Sequence, residues 1–285
     1  MSNPLAAAKL KAETAYNAAA DNFDAEPLGF WARYGRRTVE RLRLRHGAHV
    51  LDVGCGTGAS ALPAAQAVGP EGRVLAVDLA GELLKLGQAK AQTAGLRCVE
   101  FCHGDMTDLG FPDRHFDAVV CVFGIFFVPD MEHQVGELWR MVRPGGQLAI
   151  TTWGTRFLSP AYEVWLEAVR RVRPDLSTAF NPWDRITTPD AVYTLLHAGG
   201  AQRIDVAAED GYQALRRPED FWTIALGSGL RWTIDQIGAE LAREVKHEIV
   251  DRLAAAGVDR VETNVIYAIG KKPPRAGLTR RCSHH

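Results

Sequence analysis

Residues 50–58 read Val-Leu-Asp-Val-Gly-Cys-Gly-Thr-Gly, an apolar run that carries one carboxylate and ends in three alternating glycines. Val50, Leu51 and Val53 suit a strand buried on both faces, as in a parallel sheet. Gly54, Gly56 and Gly58 lack the Cβ atoms that would hold a ligand away from the backbone. The helix that follows points its free N–H groups at the same place. Strand, glycine turn and helix in this order predict a nucleotide-binding loop. Gly54-x-Gly56-x-x-Ala59 also fits the loose dinucleotide fingerprint, so the loop alone does not choose the nucleotide.

The pattern around the loop predicts an α/β fold. Strand-like runs at 49–53, 74–78, 98–103, 116–122 and 147–152 alternate with helix-like stretches at 59–68, 81–94 and 131–142, the rhythm of a parallel sheet with crossover helices. Pro144-Gly145-Gly146 reads as the turn into the fifth strand. Beyond residue 153 the rhythm loosens into helices at 161–173 and 189–198, a strand at 203–207, a long helical stretch over 218–256 and a last β-branched strand at 261–269. In the long stretch Ile234, Ile237, Leu241, Val245, Ile249 and Leu253 recur at spacings of three and four, a core-facing stripe. The spacing divides the chain into an N-terminal helical cover (1–47), a nucleotide-binding core (48–153), a second half of the sheet with helical insertions forming a lid (154–272) and a disordered tail (273–285).

Charge and cysteines narrow the partners. Lys plus Arg number 33 against 34 Asp plus Glu, which gives no global attraction to nucleic acid or to an anionic membrane. The arginines between Arg36 and Arg45 read as a solvated helix face. Five cysteines, most of them on strands or in the glycine loop, fit reduced thiols better than a disulfide framework. No metal site is expected, because Cys98-x-x-x-Cys102-His103 has no second cluster to complete four ligands. The longest apolar run, 118–128, is too short to span a bilayer.

Further residues bear on the nucleotide. Asp78 ends the second strand, where a carboxylate can accept hydrogen bonds from a ribose diol. Gly104-Asp105-Met106 ends the third strand, Phe116-Asp117 opens the fourth, and Arg143-Pro144-Gly145-Gly146 precedes the fifth. In this order and spacing, these residues together with 50–58 resemble the class I S-adenosylmethionine-dependent methyltransferases, in particular the ubiquinone/menaquinone-biosynthesis-like branch that methylates small molecules. The resemblance implies a Rossmann-like seven-stranded sheet of order 3-2-1-4-5-7-6 with the last strand antiparallel. It implies S-adenosyl-L-methionine as cofactor, with Asp52, Gly54, Cys55, Gly56 and Gly58 around the methionine portion and Asp78 on the ribose. Leu79, Asp105 and Met106 would hold the adenine, and Cys121 would lie under the sulfonium. Relatives commonly carry a Leu-His-His triplet after the fourth strand; this chain has Ile125-Phe126-Phe127 instead, which points to a more apolar pocket without a base from that loop.

Methyl transfer from a sulfonium is an in-line displacement in which positioning can carry most of the catalysis. His133 is the histidine nearest the expected substrate side, and no residue stands out as catalytic. Tyr16, Phe23, Trp31, Phe126, Phe127, Trp153, Trp183 and Trp222 are candidates to wall an acceptor pocket, since aromatic walls favour a flat or apolar ligand. The expectation is a cytoplasmic, monomeric or homodimeric enzyme acting on a small molecule, with no nucleic-acid partner and no membrane span. Methylation of RNA or protein, with the arginine strip as docking surface, and a cofactor-binding member that does not methylate are the alternatives. A nicotinamide-dependent oxidoreductase would share only the glycine loop and Asp78, and arsenite methylation would need exposed paired thiols.

Overall fold

The computed structural model describes residues 4–177 and 181–274. Ahead of the sheet lie α1 (Pro4–Ala19), a short 3₁₀ turn (Glu26–Leu28) and α2 (Phe30–Leu42). An α/β alternation follows: β1 (His49–Val53), α3 (Ala61–Val68), β2 (Arg73–Asp78), α4 (Gly81–Thr93), β3 (Val99–His103), β4 (Phe116–Val122), α5 (Met131–Met141) and β5 (Val142–Trp153). The rest of the chain forms α6 (Ala161–Val172), α7 (Pro189–Ala198), β6 (Asp205–Glu209), β7 (Tyr212–Ala214), α8 (Glu219–Leu226), α9 (Arg231–Ile237), α10 (Ala239–Ala255), β8 (Arg260–Glu262) and β9 (Val265–Lys271).

Seven of these strands form one sheet in the order β3-β2-β1-β4-β5-β9-β6. The first five pair in parallel, and β9 runs antiparallel to both β5 and β6. Counting only strands of this sheet, the order is the expected 3-2-1-4-5-7-6. β9 is buried along all but its last residue, which a strand covered on both faces requires and its apolar sequence permits. The strand order reverses between β1 and β4, and a crevice opens there at the carboxyl ends of the strands. α1 lies across that edge, against α4 and α9.

Three expectations need correction. The helical stretch at 218–256 is three helices, although its apolar stripe is core as expected, with Ile234, Ile237, Val245, Ile249 and Leu253 all buried. The breaks fall at glycines: a Cβ on Gly227 would sit 2.7 Å from the Asn22 carbonyl oxygen, and Gly238 takes φ +85° between α9 and α10. The strand expected at 261–269 is interrupted at Thr263–Asn264, with β8 leaving the main sheet to pair with β7. At the interruption the Thr263 hydroxyl bonds the Tyr34 hydroxyl at 2.9 Å, and the Asn264 side-chain Oδ1 accepts from Gly211 N at 3.0 Å. Pro144-Gly145-Gly146 is not a turn before β5 but a bulge within it, where the register against β4 jumps between Phe116 and Ala118. A Cβ on Gly146 would lie 2.6 Å from the Asp117 carbonyl oxygen. Most of the expected disordered tail lies outside the described residues.

Candidate active site

The glycine loop leaves β1 with Gly54, Gly56 and Gly58 at φ +70°, +52° and +88°, a left-handed path that strains any residue with a Cβ. The loop is tied down by β2. Gly54 N and Cys55 N both donate to the Val77 carbonyl oxygen, at 2.8 and 3.1 Å. Gly56 N donates to Asp78 Oδ2 and Ala80 N to Oδ1, each at 2.8 Å. A carboxylate has about four lone-pair directions, so Asp78 keeps capacity for further donors. Burial raises its pKa, although the backbone N–H groups of Ala80, Gly56 and Leu79 pull the other way.

A cavity of about 120 Å³ opens beside the loop, lined by Gly54, Cys55, Gly56, Ser60, Asp78, Leu79, Gly104 and Met106 among others. Next to it lies a cavity of about 540 Å³ walled largely by aromatic side chains. Ala12, Tyr16, Trp31, Phe123 and Phe127 line both. Phe123, Trp153 and Phe157 stack in a row with ring centroids 3.7 Å apart at each step, and Trp31 packs against Phe123 and Trp153. Phe123 has φ +55°, a conformation that costs a bulky residue on the order of 1 kcal/mol or more. That backbone twist presents its ring at the boundary between the cavities.

This pairing of a glycine-loop cavity with an aromatic one agrees with what sequence comparison finds. Residues 50–146 match the family model described as a methyltransferase domain. Over these residues the chain carries a methyltransferase domain. Demethylmenaquinone methyltransferase of Listeria welshimeri serovar 6b is 40% identical to it over 117 residues, covering 41% of this chain and 50% of that protein. The chain thus spans about half the length of the curated relatives it matches. Among solved structures, a candidate methyltransferase from Bacillus halodurans C-125 is similar with TM-score 0.57 and 20% identity, over 84% of this chain and 98% of that one. The [4+2]-cyclase SpnF is similar with TM-score 0.54 and 21% identity, over 85% of this chain and 81% of that one. These structural likenesses speak for the fold.

Within the methyltransferase domain, the residues fit S-adenosylmethionine. Asp78 has acceptor capacity for a ribose diol, and Leu79 and Met106 supply apolar contact. Asp52 offers an orphaned charge: it is buried, its Oδ2 accepts from Ser60 Oγ at 2.7 Å, and its Oδ1 has no partner. Burial pushes its pKa up to about 7; the Ser60 bond opposes this and the Asp78 charge adds to it. A cationic amino group near Ser60 would offset the missing partner.

Several expected site residues stand elsewhere. Neither Asp52 nor Gly58 lines the smaller cavity: Asp52 reaches it through Ser60, and Gly58 packs toward Leu62 and Phe101. Asp105 is also outside the lining, because its carboxylate is engaged by Lys9 of α1 and accepts from Thr107 N at 2.8 Å. Burial would raise the Asp105 pKa, but the Lys9 and Thr107 bonds outweigh it and hold it low. Cys121 is fully buried behind Gly124, whose added Cβ would come 2.9 Å from its sulfur. Burial first, then the charges of Asp52 and Asp78, push that thiol up to about 12, so it is an uncharged packing group. His133 is exposed on the first turn of α5, where its N–H donates to the capping Asp130 carboxylate at 2.9 Å, and it lines neither cavity. Trp222 packs against Trp165 behind the wall, with centroids 6.0 Å apart.

Tyr16, Trp31, Phe126, Phe127, Trp153 and Trp183 do line the larger cavity, and Phe23 lines the smaller one. Burial and the Asp78 charge push the Tyr16 phenol up, so it stays protonated. Phe123, Phe157, Tyr162, Trp165 and Trp232 were not singled out from sequence yet line the larger cavity. Only Phe123 carried a signal, as the residue just past β4 on the ligand edge.

Proposed function

We propose that the chain transfers a methyl group from S-adenosylmethionine to a small, apolar or aromatic acceptor held in the 540 Å³ cavity. The observation that carries this reading is the shared wall, which brings the contents of two cavities to a common boundary at Tyr16, Trp31, Phe123 and Phe127. Bound there, the cofactor supplies an electrophilic methyl group on a good leaving group. The glycine loop and Asp78 fix its position, and Ser60 with Asp52 faces its amino acid end. On the other side the stacked rings hold a flat acceptor and keep water out. Orienting two reactants in this way is worth about 7–11 kcal/mol in favourable cases. Among the described residues no histidine lines either cavity, which supports positioning rather than general-base catalysis.

Demethylmenaquinone, the substrate named for the relatives, is one such acceptor. A match of 117 residues does not extend over a cavity whose walls run from Ala8 to Thr233, so the acceptor is argued from the cavity. Methylation of RNA along Arg36–Arg45 is less favoured, because Arg37 and Arg41 are drawn to Glu209 and Arg41 also lies over Tyr267 at 4.1 Å. No described helix is long and apolar enough to cross a membrane. Free thiols at Cys55, Cys98, Cys102 and Cys121 suit a reducing, cytoplasmic setting, and we take the enzyme to act there as a monomer or homodimer. Incubation with methyl-labelled S-adenosylmethionine and a fractionated cell extract tests the reading. Label is expected in a small organic product; label confined to RNA or protein contradicts it.

A further inference from the structure

The larger cavity is apolar along most of its wall, yet two cations on that wall have no carboxylate partner among the described residues. Lys11 of α1 and Arg185 of the 3₁₀ turn Pro182–Ile186 both line it. The Lys11 ammonium stands 3.8 Å from the centroid of the Trp232 ring, and among the described residues it forms no ion pair. Partial burial lowers its pKa, the mark of an ammonium that has lost water without gaining an anion. Arg185 donates one bond, to the Pro129 carbonyl oxygen at 3.1 Å, and likewise has no ion pair among the described residues. Among the described residues the wall carries one carboxylate, Asp175, which is gripped by Arg173 through two bonds of 2.8 and 2.7 Å. Its charge is therefore spent outside the cavity, and the wall is left net positive.

Taking the cavity as the methyl acceptor's site, which rests on the function proposed above, we propose that Lys11 and Arg185 select an acceptor with a carboxylate on an aromatic body. The aromatic walls take the ring system. The guanidinium presents paired N–H donors that match a carboxylate, and the ammonium adds a point charge from the N-terminal cover. Because Lys11 belongs to α1, an anionic acceptor also draws the cover over both cavities. An uncharged acceptor of the same shape would satisfy the rings and leave both cations without a counter-charge. That difference sets specificity.

The test compares 2-naphthoate with 2-naphthamide, which share one ring skeleton and differ in charge, by calorimetry on the full chain. The naphthoate is expected to bind about ten-fold tighter, with the preference fading as salt rises. Lys11→Gln and Arg185→Gln are each expected to weaken naphthoate about three- to five-fold, as for partly exposed charge pairs, and to leave naphthamide unchanged. Arg185→Lys should recover part of the loss. Equal affinity for the two probes, binding of neither, or equal losses for both in the variants overturns the proposal. Titration of the same protein with S-adenosylhomocysteine keeps the two readings apart. Cofactor binding without a naphthoate preference sinks the selectivity alone, and a naphthoate preference without cofactor binding sinks the methyltransferase reading alone.

Discussion

Replacing Asp52 by Asn is expected to flatten the pH dependence of stability. The wild-type carboxyl is 1% exposed in the middle of the sheet, with one oxygen bonded to Ser60 and the other unpartnered. Its folded pKa is pushed up to about 7, against about 3.9 in an unfolded chain. The folded state therefore holds this proton more tightly than the unfolded one. The resulting stabilisation is complete below about pH 4 and is lost as the pH rises through about 7. A gap of about three between the two values corresponds to roughly 4 kcal/mol at 1.36 kcal/mol per unit. Water penetration and relaxation reduce this, so a fall on the order of 2–4 kcal/mol is the expectation. Urea unfolding of wild type and variant at steps from pH 4.5 to 8.5 measures it, as the wild-type minus variant difference at each pH. That difference should drop across the range, and it should drop less in saturating S-adenosylhomocysteine, whose amino group favours the ionised carboxylate. A difference that stays constant with pH would refute the argument, since it would show that Asp52 titrates alike in both states.

Other outcomes follow from the same geometry. Asp78→Asn keeps one acceptor but turns an amide donor toward either Gly56 N or Ala80 N, so it should cost about 1–3 kcal/mol. For a chain of this size that lowers Tm by about 2–4 °C per kcal/mol, and calorimetry should also show S-adenosylhomocysteine binding at least about ten-fold weaker. Gly58→Ala places a Cβ 3.0 Å from Leu62 and Phe101 at φ +88°. It is expected to cost about 1–3 kcal/mol in urea unfolding. His133→Ala should leave kcat within about two-fold, because the side chain faces solvent outside both cavities; a drop beyond about ten-fold would return the histidine to the site.

The glycine loop was legible because its conformation is written in backbone requirements. Three glycines at positive φ and an acid that accepts two loop N–H groups leave a spacing in the sequence that side-chain packing does not alter. The sheet order likewise followed from the resemblance those residues carry. The roles of Asp105 and Cys121 were less visible, since each depends on a distant neighbour. Lys9 has to arrive from the N-terminal helix to take the Asp105 carboxylate, and Gly124 has to fold over Cys121. The lid was the least legible part. A spacing of three and four from Ile234 to Leu253 continues past Gly238, so α9 and α10 read as one helix. Trp165 lines the acceptor cavity while its neighbour Trp222 sits behind it. Which ring faces inward is decided by how α6 and α8 pack, and neither local sequence reports it. Lys11 and Arg185 lie in segments far apart in the chain, and only the closed cavity brings them to one wall.

The central claim is that two cavities sharing the wall at Tyr16, Trp31, Phe123 and Phe127 hold donor and acceptor for one methyl transfer. It is tested most directly by supplying S-adenosylmethionine labelled at the methyl carbon together with a fractionated small-molecule extract. The S-adenosylhomocysteine formed and the label in each product are then measured for wild type and for Leu166→Trp, which narrows the larger cavity. The account predicts equal molar yields of S-adenosylhomocysteine and labelled small product in the wild type. In the variant, cofactor affinity should be unchanged and product formation reduced. Transfer at an unchanged rate in the variant, or cofactor binding with no transfer to any fraction, would contradict it.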